Sequence, residues 1–416
     1  MADSVGLRSV RKTTQPLSGI KVLEFSEHGF VPSAAAVLAD FGADVVKVER
    51  LGGDAMRRII SAGMVPTVDG YDFLFELVNR NKRGIALDVE VASGRDIFER
   101  LVKWADVYVT NQLPRVRRKL RTDTADIFAI NPKLVYAKGH GQGQRGEDAE
   151  AGGYDAVSFW ARGGLAHVLT DPEADQPAQQ RPALGDLPSG MFLAGGICAA
   201  LVHVLRTGQG IVVDTSLLSG AVWTMGPDLA YASMAGRQLP LGEDPRSPLT
   251  RQYKTADGRF VSLMMIDEGR YWAQACRALG LDDLVGLYPD HESRQADWPS
   301  IRRRMAEAVA SMTAEVIEAR LRGEDCIYSF FAAPTDVLRD AAVVENGYLM
   351  THPEREGLLV AAAPVQFDDE TPAVRRPGPQ LGQHSRQVLG ELGYGPADIE
   401  ELIGSGVVGA PAGDTA

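Results

Sequence analysis

Short hydrophobic runs alternate with helical segments along the first 140 residues of the chain. The segment PSAAAVLADFG predicts an apolar helix that begins at Pro32 or Ser33 and ends at Gly42. Further on, Ser93 is expected to cap a helix whose apolar residues fall on one face. The predicted strands around these helices are 19–26, 43–50, 83–89, 106–111 and 132–139. This alternation predicts parallel pairing in an α/β, doubly wound, Rossmann-like sheet.

The pattern changes between about residues 225 and 250. Asp257-Gly258 separates two strand-like runs, which predicts a hairpin, and helical patterns follow. We therefore predict a large α/β domain, a smaller α+β domain, and a return segment that completes the large domain and has a flexible end. Their predicted limits are 1–228, 229–335 and 336–416.

Composition restricts the kinds of partner. The chain has 416 residues and a formal net charge of −12, which argues against general nucleic-acid binding because phosphate contacts need a basic surface. Three widely spaced cysteines support neither a disulfide framework nor a metal site. We find no signal peptide and expect no membrane-spanning segment, so a reducing cytoplasm is the default location.

One segment departs from the acidic background. The stretch 111–121, NQLPRVRRKLR, follows a strand and has no acidic residue before Asp123. Clustered guanidinium groups suit phosphates through charge and bidentate hydrogen bonds, so the stretch favours an anionic, phosphate-bearing ligand over a solvated helix face. Arg50, at the end of the second strand, has the same orientation.

The string GQGQRG at 141–146 matches a dinucleotide-binding pattern. That pattern requires a helix packed on the sheet directly after it, whereas EDAEAGG follows here. We therefore do not expect it to bind a dinucleotide.

The stretch PALGDLPSGM contains one carboxylate, Asp186, ahead of a long apolar helix at 191–210. Asp186 is either a helix cap or a reactive group. Ser189 could cap the helix equally well, which would leave Asp186 in a loop beside a flexible Gly185 that gives a substrate room. The local sequence leaves both interpretations open.

Taken together, the ordered segments resemble the family III CoA-transferases (CaiB/BaiF), a group that includes α-methylacyl-CoA racemases and carnitine CoA-transferase. The resemblance runs through PLSGIKVLEFS, LADFGADVVKVER, NRNKRGIALDV, LVYAKGHGQG, GGYDAVSFWARGGL, LGDLPSGMFLAGGICAAL, YKTADGRFV and LGQHSRQVLGELGY. It implies an interlocked homodimer, acyl-CoA and a carboxylic acid as substrates, and no tightly bound cofactor, metal, nucleic acid or membrane.

The resemblance also assigns roles to residues. Asp186 matches the position of the nucleophile. Gly185, Tyr154 and His140 belong to the matched motifs and are expected near the substrate or next to the nucleophile. Positions that match the family's coenzyme A site are His28, Gly29, Phe30, Arg50, Leu87, Asn111, Lys119 and Lys138.

The motif GGYDAV favours transfer over racemisation. The racemase branch is similar to GHD here, and its histidine exchanges the α-proton together with the aspartate. In this chain the position is Tyr154, and a tyrosine, with a reference pKa of about 10, is a poor proton carrier at pH 7. Asp155 is present, and His140 lies close in sequence.

We therefore expect CoA transfer through an aspartyl-acyl anhydride and an aspartyl-CoA thioester. The alternatives are a 2-methylacyl-CoA racemase and, more remotely, a nucleotide-dependent oxidoreductase or a non-catalytic CoA-binding protein.

The segment LGEDPRSPLTRQY lacks the glycine run of the formate/oxalate branch, so a larger acid, aryl or branched, is expected. Trp160, Trp223, Met225 and Met234 are candidates for its pocket, with plain core packing as the alternative.

Overall fold

A computed structural model of the chain describes residues 15–66, 68–240 and 246–411. The chain divides into a large unit, Met1–Leu239 with Glu345–Ala416, and a small unit, Pro240–Val344. Both divisions fall about ten residues beyond the predicted domain limits. At the first division the reason is local, because the helix Gly226–Ala235 still packs on the helix before it in the large unit.

Twelve strands occur in the described residues. They are β1 (Lys21–Phe25), β2 (Asp44–Glu49), β3 (Arg83–Leu87), β4 (Val107–Thr110), β5 (Val135–His140), β6 (Ile211–Ser216), β7 (Gln252–Lys254), β8 (Phe260–Leu263), β9 (Tyr328–Phe330), β10 (Leu349–Thr351), β11 (Leu359–Ala361) and β12 (Val408–Gly409). The main sheet of the large unit has the order β12-β3-β2-β1-β4-β5-β6. Its neighbours are parallel apart from β12, which is antiparallel to β3. The five predicted strands are β1 to β5, and the predicted parallel sheet is confirmed.

The α-helices of the described chain connect these strands. They are α1 (Phe30–Asp40), α2 (Phe73–Asn79), α3 (Ala92–Trp104), α4 (Pro114–Leu120), α5 (Thr124–Ile130), α6 (Leu165–Leu169), α7 (Asp186–Thr207), α8 (Leu217–Thr224), α9 (Gly226–Ala235), α10 (Glu268–Leu279), α11 (Asp283–Leu287), α12 (His291–Ala296), α13 (Trp298–Ala310), α14 (Ala314–Gly323), α15 (Pro334–Val337), α16 (Ala341–Glu345), α17 (Ser385–Glu391) and α18 (Pro396–Gly404). A π-helix, Asp155–Ala161, lies between β5 and α6.

Helices cover both faces of the main sheet. Successive strand residues point to opposite faces, so Val22 packs in a core with α1 and α7 while Leu23 packs in another with α3. Buried on both sides, β3 and β4 expose no residue to solvent, as expected for parallel strands.

Two predicted helix starts are wrong. Helix α1 begins at Phe30, ahead of Pro32 and Ser33, because proline needs no hydrogen-bond partner for its nitrogen in a first turn. Helix α3 begins at Ala92 and has Val91 as its N-cap, so Ser93 lies inside the helix instead of capping it. The predicted stop of α1 agrees with the structure, since the helix ends at Asp40, just ahead of Gly42.

Helix α7 is long and apolar enough to cross a membrane by length and composition alone. We expected no such segment from the sequence. The criterion is weak, because core helices of globular enzymes also pass it, and α7 packs against α1, β5 and β6.

The small unit has its own core. Strands β7, β8 and β9 form an antiparallel sheet, and the predicted hairpin is confirmed, with Gly258 in the left-handed region at φ 81°. Buried side chains of α10, α13 and α14 pack against this sheet.

Candidate active site

A cavity of about 670 Å³ lies at the carboxyl ends of the parallel strands of the large unit. Open α/β sheets bind ligands at this edge, beyond the ends of their strands. Of the residues proposed from the sequence, those that line the cavity are His28, Phe30, Arg50, Leu87, Asn111, Lys119, His140, Tyr154 and Asp186. The fold thus brings together side chains that lie up to about 160 positions apart in the sequence.

Asp186 is the first residue of α7, and its half-buried side chain faces the cavity. Gly185 is the N-cap and no side chain caps the helix, while Ser189 lies buried inside it. The two interpretations that the sequence left open both differ from the structure: Asp186 is neither the N-cap nor in a loop, and Ser189 does not cap the helix. With no capping bond to make, the Asp186 carboxylate is available for chemistry.

The environment of Asp186 disfavours its charged form. Burial, together with the negative charge of Asp155, raises the pKa of the Asp186 carboxyl to about 7. A carboxylate that is poorly solvated and has a raised pKa is more basic than one in water. It is therefore better suited to attack a carbonyl group.

Asp155, at the start of the π-helix, holds the backbone next to Asp186. Its carboxylate accepts hydrogen bonds from Gly185 N at 2.9 Å, Asp186 N at 3.3 Å and Gln180 Nε2 at 2.6 Å. A Cβ on Gly185 would overlap Asp155 Oδ1 and the Phe159 ring. Gly185 is thus required for close packing, whereas the sequence had suggested flexibility.

The loop between β1 and α1 forms the opposite wall. A Cβ on Gly29 would overlap the Asp186 carboxylate, so only a glycine allows this approach. Helix α7 and helix α1 also meet closely, since a Cβ on Gly190 would overlap Ser33 Oγ. The nucleophile candidate therefore lies against the first turn of α1.

Four further side chains shape this wall. The rings of His28 and Tyr154 meet edge to face, with centroids 5.2 Å apart. Asn111 fixes the loop, because its Nδ2 donates to Glu27 O at 2.6 Å and its Oδ1 accepts from Glu27 N at 3.0 Å. Arg50 is mostly exposed, and its Nε donates to Glu27 Oε1 at 3.1 Å.

A buried charge network lies beneath the same loop. Lys47 Nζ is 2.9 Å from both Glu24 Oε1 and Asp54 Oδ2, and Lys82 Nζ is 2.6 Å from Glu24 Oε2. None of these four side chains is exposed. The sequence analysis missed the network, although charged residues in the middle of the apolar runs VLEFS and VVKVE could have signalled it.

The basic stretch after β4 differs from its prediction, because acids from elsewhere in the large unit neutralise most of it. Arg118 pairs with Glu150 at 2.6 Å, Lys119 with Glu90 at 2.8 Å, and buried Arg117 donates to Asp123 at 3.1 Å. Lys119 lines the cavity described above.

Lys138 lies apart from the other predicted coenzyme A residues. It lines a second cavity of about 480 Å³, together with Arg117, Arg118 and Asp123. Burial and the charge of Arg117 lower the pKa of Lys138.

His140 is buried at the end of β5 and lines the main cavity. Burial lowers its pKa to about 3, and the charges of Arg117 and Lys138 act in the same direction. Its Nε2 has no hydrogen-bond partner in the described residues and lies 3.7 Å from Asp214 Oδ1. This imidazole is therefore neutral at pH 7 and is a weak base, which makes it a poor partner for α-proton exchange.

Two further predictions concern the GQGQRG string and the residues proposed for an acyl pocket. GQGQRG is followed by a short 3-10 helix, Glu147–Glu150, in place of a helix packed on the sheet. The candidates for an acyl pocket do not line the main cavity: Trp160 and Met225 are buried in the core, and Trp223 and Met234 are exposed. In the part of the chain that the structure describes, no group of three or more His, Cys, Asp or Glu residues could hold a metal ion.

Comparison with known proteins found one family model and several relatives that match most of the chain. The model of CoA-transferase family III matches residues 17–385. The chain is 30% identical over 397 residues to (R)-2-hydroxy-4-methylpentanoate CoA-transferase of Clostridioides difficile, covering 94% of this chain and 99% of the relative. It is also 30% identical over 406 residues to cinnamoyl-CoA:phenyllactate CoA-transferase of Clostridium sporogenes, covering 94% of this chain and 97% of the relative.

Solved structures agree with the fold. A CAIB/BAIF family protein from Brucella suis has a TM-score of 0.78 at 24% identity and covers 91% of this chain and 100% of its own. A hypothetical protein from Mycobacterium tuberculosis has a TM-score of 0.77 at 26% identity, covering 90% of this chain and 100% of its own.

Proposed function

The chain belongs to CoA-transferase family III, and we propose that it carries coenzyme A from an acyl-CoA to a carboxylic acid through covalent intermediates on Asp186. The observation that supports this most is the position of Asp186, a half-buried carboxylate that faces a strand-end cavity and has a pKa raised to about 7. Asp155, the other acid of the cavity lining that begins a helix, is occupied with the backbone N–H groups of Gly185 and Asp186.

The reaction begins with attack of an Asp186 oxygen on the donor thioester carbonyl. The C–S bond breaks, which gives an aspartyl-acyl anhydride and coenzyme A thiolate. The thiolate then attacks the Asp186 carbonyl carbon, releases the donor carboxylate and leaves an aspartyl-CoA thioester. Splitting the exchange in this way replaces one difficult step by easier ones.

The second half runs in the opposite sense. The acceptor carboxylate attacks the aspartyl thioester and expels the thiolate, which forms a second anhydride. The thiolate attacks the acceptor acyl carbon, so that acceptor acyl-CoA leaves and the Asp186 carboxylate is restored. Each attack develops an oxyanion, which oriented backbone N–H groups stabilise.

The first turn of α1 is our candidate for this stabilisation. The backbone N–H groups beside Asp186 are already occupied, because that of Gly185 donates to Asp155 and that of Ser189 donates to Gly185 O. Helix α1 begins at Phe30, beside the point where Gly29 approaches Asp186, and its first N–H groups have no partner within the helix.

We propose that the coenzyme binds in the main cavity. Arg50 and Lys119 would bind the phosphates of the coenzyme, and Leu87 and Asn111 form part of the cavity wall. Both cations have acidic partners without coenzyme, Glu27 and Glu90, so phosphate binding exchanges one partner for another.

For the acyl group we propose a branched or aryl acid. The two bacterial relatives above are named for a branched hydroxy acid and for aryl acids, and a third, from Mus musculus, for succinate and glutarate. A small dicarboxylate such as succinate is the proposed second partner.

A homodimer is also proposed. Large apolar side chains on α7, α8 and α9 are exposed, namely Val202, Leu205, Trp223, Leu229 and Met234. Burial of this surface by a second copy would remove it from water. Sedimentation equilibrium should give twice the chain mass, and a monomer at micromolar concentration would contradict the proposal.

The decisive experiment is to trap the intermediate. Incubation with cinnamoyl-CoA or a branched acyl-CoA, followed by hydroxylamine or borohydride, should modify Asp186, as mapped by mass spectrometry. The Asp186→Ala variant should give no adduct. Exchange of an α-proton without any adduct would instead support a racemase, and a donor–acceptor panel in which only formate and oxalate exchange would contradict the proposed substrates.

A further inference from the structure

The buried network of Glu24, Lys47, Asp54 and Lys82 has no role in the reaction just proposed. None of its members lines the main cavity. Ionised groups are costly to remove from water, so a fully buried set needs compensating contacts. Here the contacts include backbone atoms of the β1–α1 loop, which forms the wall opposite Asp186.

Three hydrogen bonds hold this loop and the first turn of α1 on the side of the buried network. Lys47 Nζ donates to Ser26 O at 2.9 Å, and Lys82 Nζ donates to Pro32 O at 2.8 Å. Between these points, Asp54 Oδ1 accepts the His28 N–H at 3.0 Å. The ion pair with Lys47 keeps the carboxylate of Asp54 in place, since its other oxygen lies 2.9 Å from Lys47 Nζ.

The residue that Asp54 holds has an unfavourable backbone conformation. His28 has φ 69°, in the left-handed region that residues other than glycine seldom adopt. Such a conformation persists only where its surroundings impose it. Gly29 comes next, and it is the residue that approaches the Asp186 carboxylate too closely for a Cβ.

We propose that Asp54 is a positioning residue for CoA transfer, because its hydrogen bond to the His28 N–H holds the left-handed turn that places Gly29 and the first turn of α1 against Asp186. The proposal rests on the proposed function, in which Asp186 is the nucleophile. Lys47 acts through Asp54, and neither residue touches the substrate.

Two variants separate the hydrogen bond from the charge. Asparagine and leucine have as many side-chain heavy atoms as aspartate, with the same branching at Cγ, and both substitutions at Asp54 remove the same charge, but only Asn keeps an acceptor for the His28 N–H. The network can adjust to the lost charge, since burial lowers the pKa of Lys82 to about 8 and this lysine can release its proton. Both variants should therefore fold, and Asp54→Leu should melt at the lower temperature because it leaves the His28 and Met56 N–H groups without their acceptor.

Their kinetics should differ. In rapid-quench measurements of the Asp186 adduct, we expect Asp54→Asn to react within about threefold of the wild-type rate. Asp54→Leu should react about ten- to a hundredfold more slowly, the loss expected for one hydrogen bond to a charged group. The KM for acyl-CoA should change less than this rate, because Asp54 lies outside the cavity lining.

A double-mutant cycle tests the route through His28. Glycine adopts φ 69° without cost, so in a His28→Gly background the turn no longer depends on Asp54. We expect the slowing caused by Asp54→Leu to shrink by at least about fivefold in that background. An equal slowing in both backgrounds, or equal slowing by Asn and Leu, would overturn the proposal.

The failures of the two proposals are distinguishable. If wild type forms no adduct at Asp186, the proposed function fails; if wild type and Asp54→Leu form it at equal rates, only the positioning role fails. Should Asp54→Leu not fold, hydrogen exchange of the wild type gives the answer. The His28 amide should exchange slowly, and rapid exchange would overturn the proposal.

Discussion

The two ends of helix α1 are built from similar parts and differ in how the parts are used. Each end has a buried or half-buried carboxylate from an aspartate and a non-glycine residue in the left-handed region, His28 at φ 69° and Asn81 at φ 65°. At the C-terminal end, Asp40 accepts bonds from Arg80 Nη2 at 2.7 Å and from Asn81 Nδ2 at 2.8 Å. At the N-terminal end, no described side chain donates to the carboxylate of Asp186.

The C-terminal end of α1 serves stability, whereas the N-terminal end serves reactivity. The C-terminal end is fully paired, and Asn81 also accepts the N–H of Arg375 at 2.6 Å, which ties down a distant part of the chain. A paired carboxylate is a poor nucleophile because its lone pairs are occupied. The carboxylate of Asp186 has no such donors in the described chain, so that its lone pairs are open for attack once it is ionised, and its raised pKa makes it a stronger base than a paired carboxylate.

The largest expected effect comes from breaking the reactive end. Asp186→Ala should lower the rate of CoA exchange by at least about a thousandfold, since it removes the group that forms the covalent intermediates. Exchange is measured by chromatography of both acyl-CoAs, and circular dichroism checks the fold. Activity within tenfold of wild type would remove Asp186 from the mechanism.

Breaking the paired end should lower the stability of the protein and leave the rate of CoA exchange nearly unchanged. Asp40→Asn leaves the buried Arg80 guanidinium without a counter-charge, which should lower the free energy of unfolding by about 3–5 kcal/mol. Denaturant titration measures this loss. The rate of CoA exchange at a temperature where the variant stays folded should remain near that of wild type, and a large loss there would make the two ends of α1 functionally alike.

Gly29→Ala tests the close approach at the reactive end. The new Cβ would overlap the Asp186 carboxylate, so the loop or the carboxylate must move, and we expect adduct formation to slow by about ten- to a hundredfold. Gly195→Ala is the matched control: it lies in α7 with open space around it and should leave the rate unchanged while stabilising the helix by up to about 1 kcal/mol. Equal rates for both variants would contradict the tight fit.

The smallest effect is a pH dependence of stability. The pKa of Asp186 is about 7 in the folded state, against about 3.9 for an unfolded aspartate, so between these values the folded state binds more protons. Its contribution to the free energy of unfolding therefore falls as pH rises from 4 to 7. Asp186→Asn should match wild type in Tm near pH 4 and exceed it by a few degrees above pH 7.

For Asp54, the contribution to the free energy of unfolding should depend on pH in the opposite sense. Burial opposes its charge, but Lys47 and the Met56 N–H hold its pKa below the ordinary value. The stability that Asp54 contributes is thus present at neutral pH and is lost as pH falls through its folded pKa. Scanning calorimetry of Asp186→Asn and Asp54→Asn across pH would show both slopes, and parallel curves would contradict this account.

The sequence predicts the strands of the main sheet well. The strands β1 to β5 follow from short apolar runs, and the glycine–aspartate motif ahead of an apolar run singles out Asp186 as a candidate, because both are local patterns. The start of α7 could not be predicted, since aspartate is favourable both at a helix N-cap and in the first turn. The partners of Arg118 and Lys119 are Glu150 and Glu90, about 30 residues away, and only the fold brings them together.

The antiparallel strand β12 has a consequence for how the protein is made. It covers the edge of β3 and comes from the last residues of the described chain. Asn81 and Arg375, which are 294 residues apart, also join the N-terminal segment of the large unit to its C-terminal segment. During synthesis the small unit can complete its own core before the large unit is closed. Until the ribosome releases the C-terminal segment, β3 remains an open edge, and nascent chains are expected to depend on chaperones there.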